Sequence, residues 1–389
     1  MFKASSALFS LGFRPFFLLG SGFAAIAIVL WIAGLGGHLS GWQPVGGWLA
    51  WHQHEMLFGF AGAIIAGFVL TAAQNWTNQP GPSGWPILLL ALLWLTARLA
   101  WLLNAPLWLL FPLELAFLPL VAVLLGRMLW AVRQQRNYPI MLVLLLLALT
   151  NLFSLLGMQQ EQFAWQRQAS QGALWLIAAL MGLIGGRVIP FFTQRGLGLP
   201  SAAAALPWLD NLLLVGSLLV ALLMASGLGL RPQLWIALLF MVLGAGHLLR
   251  LMRWHHPRIW GVPLLWSLHL AYAWLVMALF SMALWHAGWM NSASAAIHML
   301  AIGSLGGLIL AMIARVSLGH TGRPLEPVAT MSLAFVLLNL AVPLRIWLTL
   351  WLPMTGYWLA ALCWTLAFAL FVWHYAGMLS RPRPDGRPG

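Results

Sequence analysis

The chain has 389 residues, of which 62% are hydrophobic and only 6% are charged. Soluble domains carry roughly 25% charged residues, so this composition excludes a soluble globular protein. The formal net charge is +13, but the 19 basic residues are scattered between apolar runs rather than gathered into a basic stripe. The sequence therefore predicts an integral membrane protein that contacts the lipid bilayer and has no nucleic-acid partner.

Apolar runs of about 20 residues recur along the whole chain, which is typical of membrane-spanning helices. Breaks that contain proline and glycine, such as Pro80-Gly81-Pro82, separate them. No segment between the runs is long enough to fold separately. We therefore predict an all-α fold, a polytopic integral membrane helical bundle that forms a single transmembrane domain over 1–389. Its about twelve transmembrane helices are expected at approximately 16–37, 53–75, 86–103, 106–130, 138–157, 170–192, 207–227, 233–252, 262–286, 293–317, 328–350 and 357–379.

The distribution of basic residues predicts the orientation of these helices. If the N-terminus is cytoplasmic, fifteen of the nineteen basic residues fall at cytoplasmic helix ends, as the positive-inside rule requires. Both termini are therefore expected in the cytoplasm. Arg98 is one of the four exceptions and lies in the outer half of its helix, as Glu114 does in the next helix. A structural ion pair between them is favoured over a proton route.

The densest group of ionisable residues in an apolar setting is Trp51-His52-Gln53-His54-Glu55-Met56. Ionisable groups inside a membrane are costly and usually functional, and imidazole and carboxylate bind transition metals. At 100° per residue, His52 shares a helical face with Glu55, while His54 points nearly the opposite way. The two histidines serve one site only if the helix begins at or after His52. Glu55 is the candidate catalytic residue, with the roles of metal ligand, hydrogen-bond acceptor and proton carrier all open.

Two further histidines lie inside apolar runs, His269 near the predicted inner boundary and His298 at a similar depth below the outer one. With His52 and His54 they are the candidate metal ligands, and His54, His269 and His298 are also candidate haem ligands. The different depths predict two sites. His298 is expected to join His52 or His54, with His269 as a haem ligand nearer the inner leaflet. For a lone histidine such as His247, a helix-to-helix hydrogen bond is the alternative.

A second dense stretch runs from Arg315 to Arg323 at the predicted inner end of the tenth helix. Gly319 and Gly322 interrupt the helix, and the two arginines flank a turn that contains hydroxyl groups. Such a turn can bind a carboxylate, a haem propionate or a lipid phosphate through charge-assisted hydrogen bonds. A cytoplasmic loop that follows a glycine C-cap is the alternative interpretation.

A series of motifs, in the same order along nearly the whole chain, resembles the NnrS family. The resemblance implies a polytopic protein of the bacterial inner membrane that binds haem and copper and acts in the response to nitric oxide and nitrosative stress. The motifs are LGFRPFFLLG (11–20), WHQHEMLFGF (51–60) with AGFVLTAAQNW (66–76), RVIPFF (187–192), LLWSLHLAYAWL (264–275), AIHMLAIGSLGG (296–307), ARVSLGHTGRPL (314–325) and RPRPDGRPG (381–389).

The resemblance also implies functional roles for single residues within these motifs, without dividing them between haem and copper. It strengthens the prediction that His320 is a functional residue. His320, Arg315 and Arg323 are candidate cofactor-binding residues. The other residues to which it points are His52, His54, Glu55, His269 and His298.

Together, the residues and the resemblance predict haem b and copper as cofactors and nitric oxide or another small diatomic molecule as the ligand. A haem- or metal-dependent oxidoreductase would need a quinol or another membrane electron donor, because the chain shows no soluble redox domain. Two alternatives stay open. A secondary transporter fits twelve helices with both termini inside, although no clear repeat is visible. A metal-handling or assembly factor for haem–copper enzymes predicts weak, exchangeable metal.

Overall fold

The computed structural model describes residues 7–386. The structure is 81% helical and has no strand among these residues. Twelve of its helices are long and apolar enough to cross a membrane, which confirms the predicted polytopic all-α fold. We label them α1 (Phe13–Leu35), α2 (Gly47–Thr77), α3 (Trp85–Leu102), α4 (Leu107–Ala131), α5 (Gln135–Gln159), α6 (Phe163–Leu197), α7 (Pro207–Ala225), α8 (Leu234–Trp254), α9 (Pro263–His286), α10 (Ser294–His320), α11 (Ala329–Trp351) and α12 (Pro353–Leu379).

The chain divides into two compact units. The first unit comprises the described residues of Met1–Ala173 and Phe368–Gly389 together with Val316–Pro324. The second unit comprises Leu174–Arg315 and Leu325–Ala367. A single transmembrane domain over 1–389 stays a prediction.

Small residues allow helices within each unit to pack closely. A Cβ atom on Gly67 of α2 would lie 2.9 Å from the Cβ atom of Phe16 on α1. In the second unit, a Cβ atom on Gly307 of α10 would lie 2.8 Å from the Cβ atom of Ala271 on α9. Lipid tails are as apolar as the helices, so van der Waals contact at such small residues is a main source of helix association in a membrane.

The outward-facing side chains are also apolar. Leu89, Leu92 and Leu99 on α3 are exposed, as is Trp373 on α12. Such surfaces suit contact with lipid, and with the twelve spans they describe a multi-pass membrane protein. Its orientation stays a prediction. Lys3 and Arg387, which contribute to that prediction, lie outside the described residues.

Three spans change from α-helical to π-helical geometry along their length. A π-helical turn accommodates an additional residue, and such turns occur frequently at functional sites. The first two of these segments directly follow His54 and His298, both candidate ligands. The segments are Glu55–Ala61 in α2, Met299–Gly306 in α10 and Leu344–Leu348 in α11.

Candidate metal site

Helix α2 begins at Gly47, so His52 lies inside the helix and not on a flexible first turn. The sequence analysis allowed one shared site for His52 and His54 only if the helix began at or after His52. The structure therefore favours different partners for the two rings. The ring of His52 stacks on Trp31 of α1, with ring centroids 4.5 Å apart and an interplanar angle of 14°.

His54 is fully buried and contacts Glu55, although the sequence analysis placed these side chains on nearly opposite faces. The Nδ1 atom of His54 lies 3.0 Å from Oε1 of Glu55. The two residues flank the junction at which α-helix gives way to the π-helical segment Glu55–Ala61. A π-helical turn holds more residues than an α-helical turn, so a constant step of 100° per residue does not apply there.

Arg98 of α3 connects two buried carboxylates. Its Nη1 atom donates a hydrogen bond of 2.9 Å to Oε1 of Glu55, and its Nη2 atom is paired with Oε1 of Glu114 on α4. Trp101 Nε1 also donates to Oε1 of Glu114, at 2.6 Å. The predicted Arg98–Glu114 ion pair is therefore present, and Glu55 extends it. The four side chains of His54, Glu55, Arg98 and Glu114 form what we call the α2–α4 cluster.

Both ring nitrogens of His54 lie close to oxygen atoms. Nδ1 faces Glu55, and Nε2 lies 2.9 Å from Oδ1 of Asn151 on α5, whose amide nitrogen donates to the main-chain oxygen of Glu114. The ring is therefore held from both sides. Arg98 contributes one positive charge next to the two carboxylates of the cluster.

Two buried atoms of the α2–α4 cluster have no hydrogen-bond partner among the described residues. They are Nε of Arg98 and Oε2 of Glu55. An unsatisfied buried carboxylate oxygen is costly, and a proton or a cation would satisfy it. His54, Glu55 and Glu114 each offer a ligand atom, and these atoms all lie within 4.8 Å of one another. Imidazole and carboxylate are suitable donors for a first-row transition metal ion.

The cluster depends on a glycine in the π-helical segment. A Cβ atom on Gly59 would lie 2.3 Å from Nη1 of Arg98 and 2.9 Å from the ring of Phe23. Trp94 Nε1 donates a hydrogen bond of 2.9 Å to the main-chain oxygen of Gly59. Because Arg98 is held by two carboxylates, it has little freedom to move away from an added side chain.

We therefore expect Gly59→Ala to destabilise the protein by about 1–3 kcal/mol through overpacking. Gly22→Ala is the matched control, since a Cβ atom on Gly22 in α1 would meet nothing within 4 Å. The control should leave stability unchanged or raise it slightly, because alanine favours a helix over glycine. The midpoints of thermal unfolding in detergent measure both effects. Equal midpoints for the two variants would contradict the close contact between Gly59 and Arg98.

The second unit repeats the local pattern of α2 around a different histidine. His298 precedes the π-helical segment Met299–Gly306, as His54 precedes Glu55–Ala61. Glycines follow each histidine at the fifth and eighth positions, and each π-helical segment includes the first of them. The Nδ1 atom of His298 lies 2.7 Å from the main-chain oxygen of Ser294. This bond fixes the ring so that Nε2 is the nitrogen suited to bind a metal.

His269 on α9 is also buried and oriented by its own helix. Its Nδ1 atom lies 2.9 Å from the main-chain oxygen of Leu265, and its Nε2 atom lies 3.4 Å from that of Trp254. The shorter contact assigns the ring proton to Nδ1. His269 therefore has the same ring orientation as His298, with a main-chain oxygen as the acceptor for Nδ1.

The remaining predicted residues lie around the end of α10. The ring of His320 packs against Phe13, with centroids 5.4 Å apart. Arg315 is buried, and its guanidinium carbon lies 4.0 Å from the ring centroid of Phe192. Arg323 Nη1 donates to the main-chain oxygen of Thr321 at 3.3 Å. Among the described residues, none of these three belongs to the group of ligand atoms around His54.

His247 makes a helix-to-helix hydrogen bond, which was the alternative interpretation for a lone intramembrane histidine. Its Nδ1 atom lies 2.6 Å from the hydroxyl oxygen of Tyr272. Arg250 donates to the main-chain oxygen of Gly182 at 3.1 Å and is paired with Asp210. These contacts form a polar network that links α6, α7, α8 and α9.

Sequence reasoning missed two residues that complete the α2–α4 cluster. Asn151 and Trp101 contact His54 and Glu114, yet neither was singled out. A polar asparagine within the apolar run of α5 is a visible signal in the sequence. Trp101 has no comparable signal, because tryptophans are frequent at the ends of the helices.

A comparison with protein-family models gives one result that covers nearly the whole chain. Residues 7–383 match the model described as NnrS protein. A comparison with curated proteins finds no match. The match to the family model spans both units and confirms the resemblance seen in the sequence motifs. The chain belongs to the NnrS family.

Proposed function

We propose that the protein binds haem b and copper in the bacterial inner membrane and acts in resistance to nitric oxide and nitrosative stress. Membership of the NnrS family relates this multi-pass membrane protein to the nitric oxide response. The observation that carries the finer proposal is the α2–α4 cluster, in which Glu55 keeps an unsatisfied buried oxygen beside His54 and Glu114. Ionisable groups inside a membrane are retained mainly for function.

We assign the copper site to His54, Glu55 and Glu114. The donor set of one imidazole and two carboxylates suits a divalent first-row ion, and copper binds such donors tightly. Arg98 and Asn151 position these donors through their hydrogen bonds. Glu55 can also hold a proton at its unsatisfied oxygen, which is the role we assign to it if nitric oxide is reduced.

We assign haem binding to the second unit, where His298 and His269 are the residues that would hold the iron. Each ring is buried or half-buried, and each has Nδ1 next to a main-chain oxygen of its own helix. The iron would be held through Nε2, which in His269 would give up its 3.4 Å contact with the main-chain oxygen of Trp254. A haem bound there would supply a binding site for nitric oxide.

The test is a reduced-minus-oxidised optical spectrum of the detergent-purified protein, with haem and copper quantified on the same sample. A b-type spectrum that changes when nitric oxide is added to the reduced protein would support the proposal. A colourless, metal-free but correctly folded protein would overturn it.

Single substitutions then test the assigned ligands. His298→Ala and His269→Ala are each expected to lower the haem content, because each ring would hold haem iron in the proposed assignment. His38→Ala is the matched control, since His38 is exposed in the loop after α1. The Soret absorbance per protein, measured after gel filtration, gives the result. Full haem content in both ligand variants would refute the assignment to the second unit.

A metal-handling function is the second candidate, and one observation favours it. The ligand atoms of the α2–α4 cluster are already engaged by Arg98 and Asn151, so a metal ion must compete with these contacts. Such competition predicts weak and exchangeable binding. Rapid loss of copper to a chelator, without loss of haem, would favour metal handling over a resident redox centre.

A further inference from the structure

Three segments that are distant in sequence meet within the first unit. They are the beginning of α1, the turn after α10 and the tail after α12. Arg14 Nη1 donates hydrogen bonds to the main-chain oxygens of Leu379, at 3.0 Å, and Arg381, at 2.8 Å. Arg383 Nη1 donates a bond of 3.1 Å to the main-chain oxygen of His320. The arginines themselves therefore hold these segments together.

The turn after α10 is shaped to accept an arginine. Gly322 has a φ of +69°, a conformation that favours glycine. A Cβ atom on Gly322 would lie 3.1 Å from Nη2 of Arg383. The guanidinium of Arg383 thus lies directly against the turn, and Arg323 is the next residue along it. We call Arg14, Arg323 and Arg383 the arginine cluster.

The arginine cluster carries three positive charges, and among the described residues a carboxylate pairs with only one of them. The charges of Arg323 and Arg383 act unfavourably on that of Arg14. Asp385 pairs with Arg383 through two hydrogen bonds, of 2.8 and 2.6 Å. Within residues 7–386, no carboxylate lies at ion-pair distance from Arg14 or Arg323.

Arg14 makes this imbalance costly. It is only 1% exposed, and its Nε atom has no hydrogen-bond partner among the described residues. A guanidinium does not lose its proton in a protein, so the charge persists in the buried site. A buried charge without a counter-ion destabilises a structure strongly. A bound anion next to Arg323 and Arg383 would offset the charge of all three arginines.

We propose that the arginine cluster binds the phosphate group of an anionic phospholipid. The helices α1, α10 and α12 begin or end here, and the ends of membrane spans lie at the level of the lipid head groups. Basic pockets between such helix ends bind anionic head groups, and the guanidinium fork matches phosphate oxygens. Free phosphate offers the same oxygen atoms to the arginines, and the experiment below distinguishes it from lipid. The proposal is independent of haem and copper.

The experiment uses the full-length, delipidated protein in detergent and follows the midpoint of thermal unfolding. Phosphatidylglycerol, phosphatidylcholine and inorganic phosphate are titrated separately. The variant is Arg323→Gln, because Arg14 also holds main-chain atoms and its loss would disturb the fold. Arg258→Gln is the matched control, since Arg258 is exposed after α8 and the charge change is the same.

Phosphatidylglycerol is expected to raise the midpoint of the wild-type protein and of Arg258→Gln. Arg323→Gln should need roughly tenfold more of this lipid for the same shift, because it loses a charge-assisted hydrogen bond. Equal titrations for the two variants, or an equal effect of phosphatidylcholine, would overturn the proposal. A full effect of inorganic phosphate, lost in Arg323→Gln, would keep the phosphate site but refute lipid as its source.

Discussion

Replacement of Arg98 by methionine is expected to destabilise the protein by about 3–5 kcal/mol. Methionine fills a similar volume but leaves Glu55 and Glu114 without their shared cation. The net charge of the buried α2–α4 cluster then becomes one unit more negative. Thermal unfolding in detergent, followed by circular dichroism, measures the loss. Arg127→Met is the matched control, because Arg127 is exposed on α4 and should tolerate the change.

A double-mutant cycle tests whether charge balance is the cause. Glu114→Gln alone makes the net charge of the cluster one unit more positive, and Arg98→Met alone makes it one unit more negative. The combination Arg98→Met with Glu114→Gln returns the net charge of the cluster to its wild-type value. We therefore expect the double variant to be more stable than the sum of the two single effects predicts. Additive losses would show that packing, rather than charge, explains the effect of Arg98→Met.

The spans of this fold were predictable because a bilayer imposes a simple length rule on apolar helices. The start of α2 was not, and the reason is local. Residues 47–52 contain a glycine, two tryptophans and His52, and their mean hydropathy therefore falls below that of a span. The structure extends the helix through them because His52 stacks on Trp31 and His54 is satisfied inside the cluster.

The candidate site was predictable only in part, because its members come from four helices. The ionisable residues Glu55, Arg98 and Glu114 each stood out within apolar runs, and the pairing of Arg98 with Glu114 followed from their neighbouring helices. Periodicity along α2 could not bring His54 to Glu55, since the α-helical step fails where the π-helical segment begins. Contacts between α2 and α5, such as His54 with Asn151, depend on tertiary packing alone.

For the turn after α10, too, the sequence indicated the local features but not the tertiary contacts. The glycines around His320 predicted a helix end, and the arginines were compatible both with an anion site and with a cytoplasmic loop after a glycine C-cap. The sequence did not indicate that the partners of this turn would be the beginning of α1 and the tail after α12. Arg14 and Arg383 make those contacts through main-chain oxygens, for which no side-chain pattern is required.

Replacement of Glu55 by glutamine is expected to weaken copper binding by at least the roughly 10–100-fold that loss of a hydrogen-bond partner of a metal ligand costs, because Glu55 is itself an assigned ligand. The amide removes a charged ligand and places a donor group where Oε2 of Glu55 lacks a partner. Glu326→Gln is the matched control, since Glu326 is exposed in the loop after α10. Copper titrations of the metal-free protein measure the affinity, and gel filtration confirms that each variant is folded.

Electron paramagnetic resonance on the same samples distinguishes the α2–α4 cluster from adventitious copper. Cu(II) bound through His54 should show hyperfine coupling to an imidazole nitrogen, and this signal should be lost or altered in Glu55→Gln but kept in Glu326→Gln. Unchanged affinity and an unchanged spectrum in Glu55→Gln would remove the cluster as a copper site. Glu55 would then be a structural hydrogen-bond partner of Arg98. A lower affinity with haem retained would instead establish a metal site in the first unit that does not depend on the haem ligands.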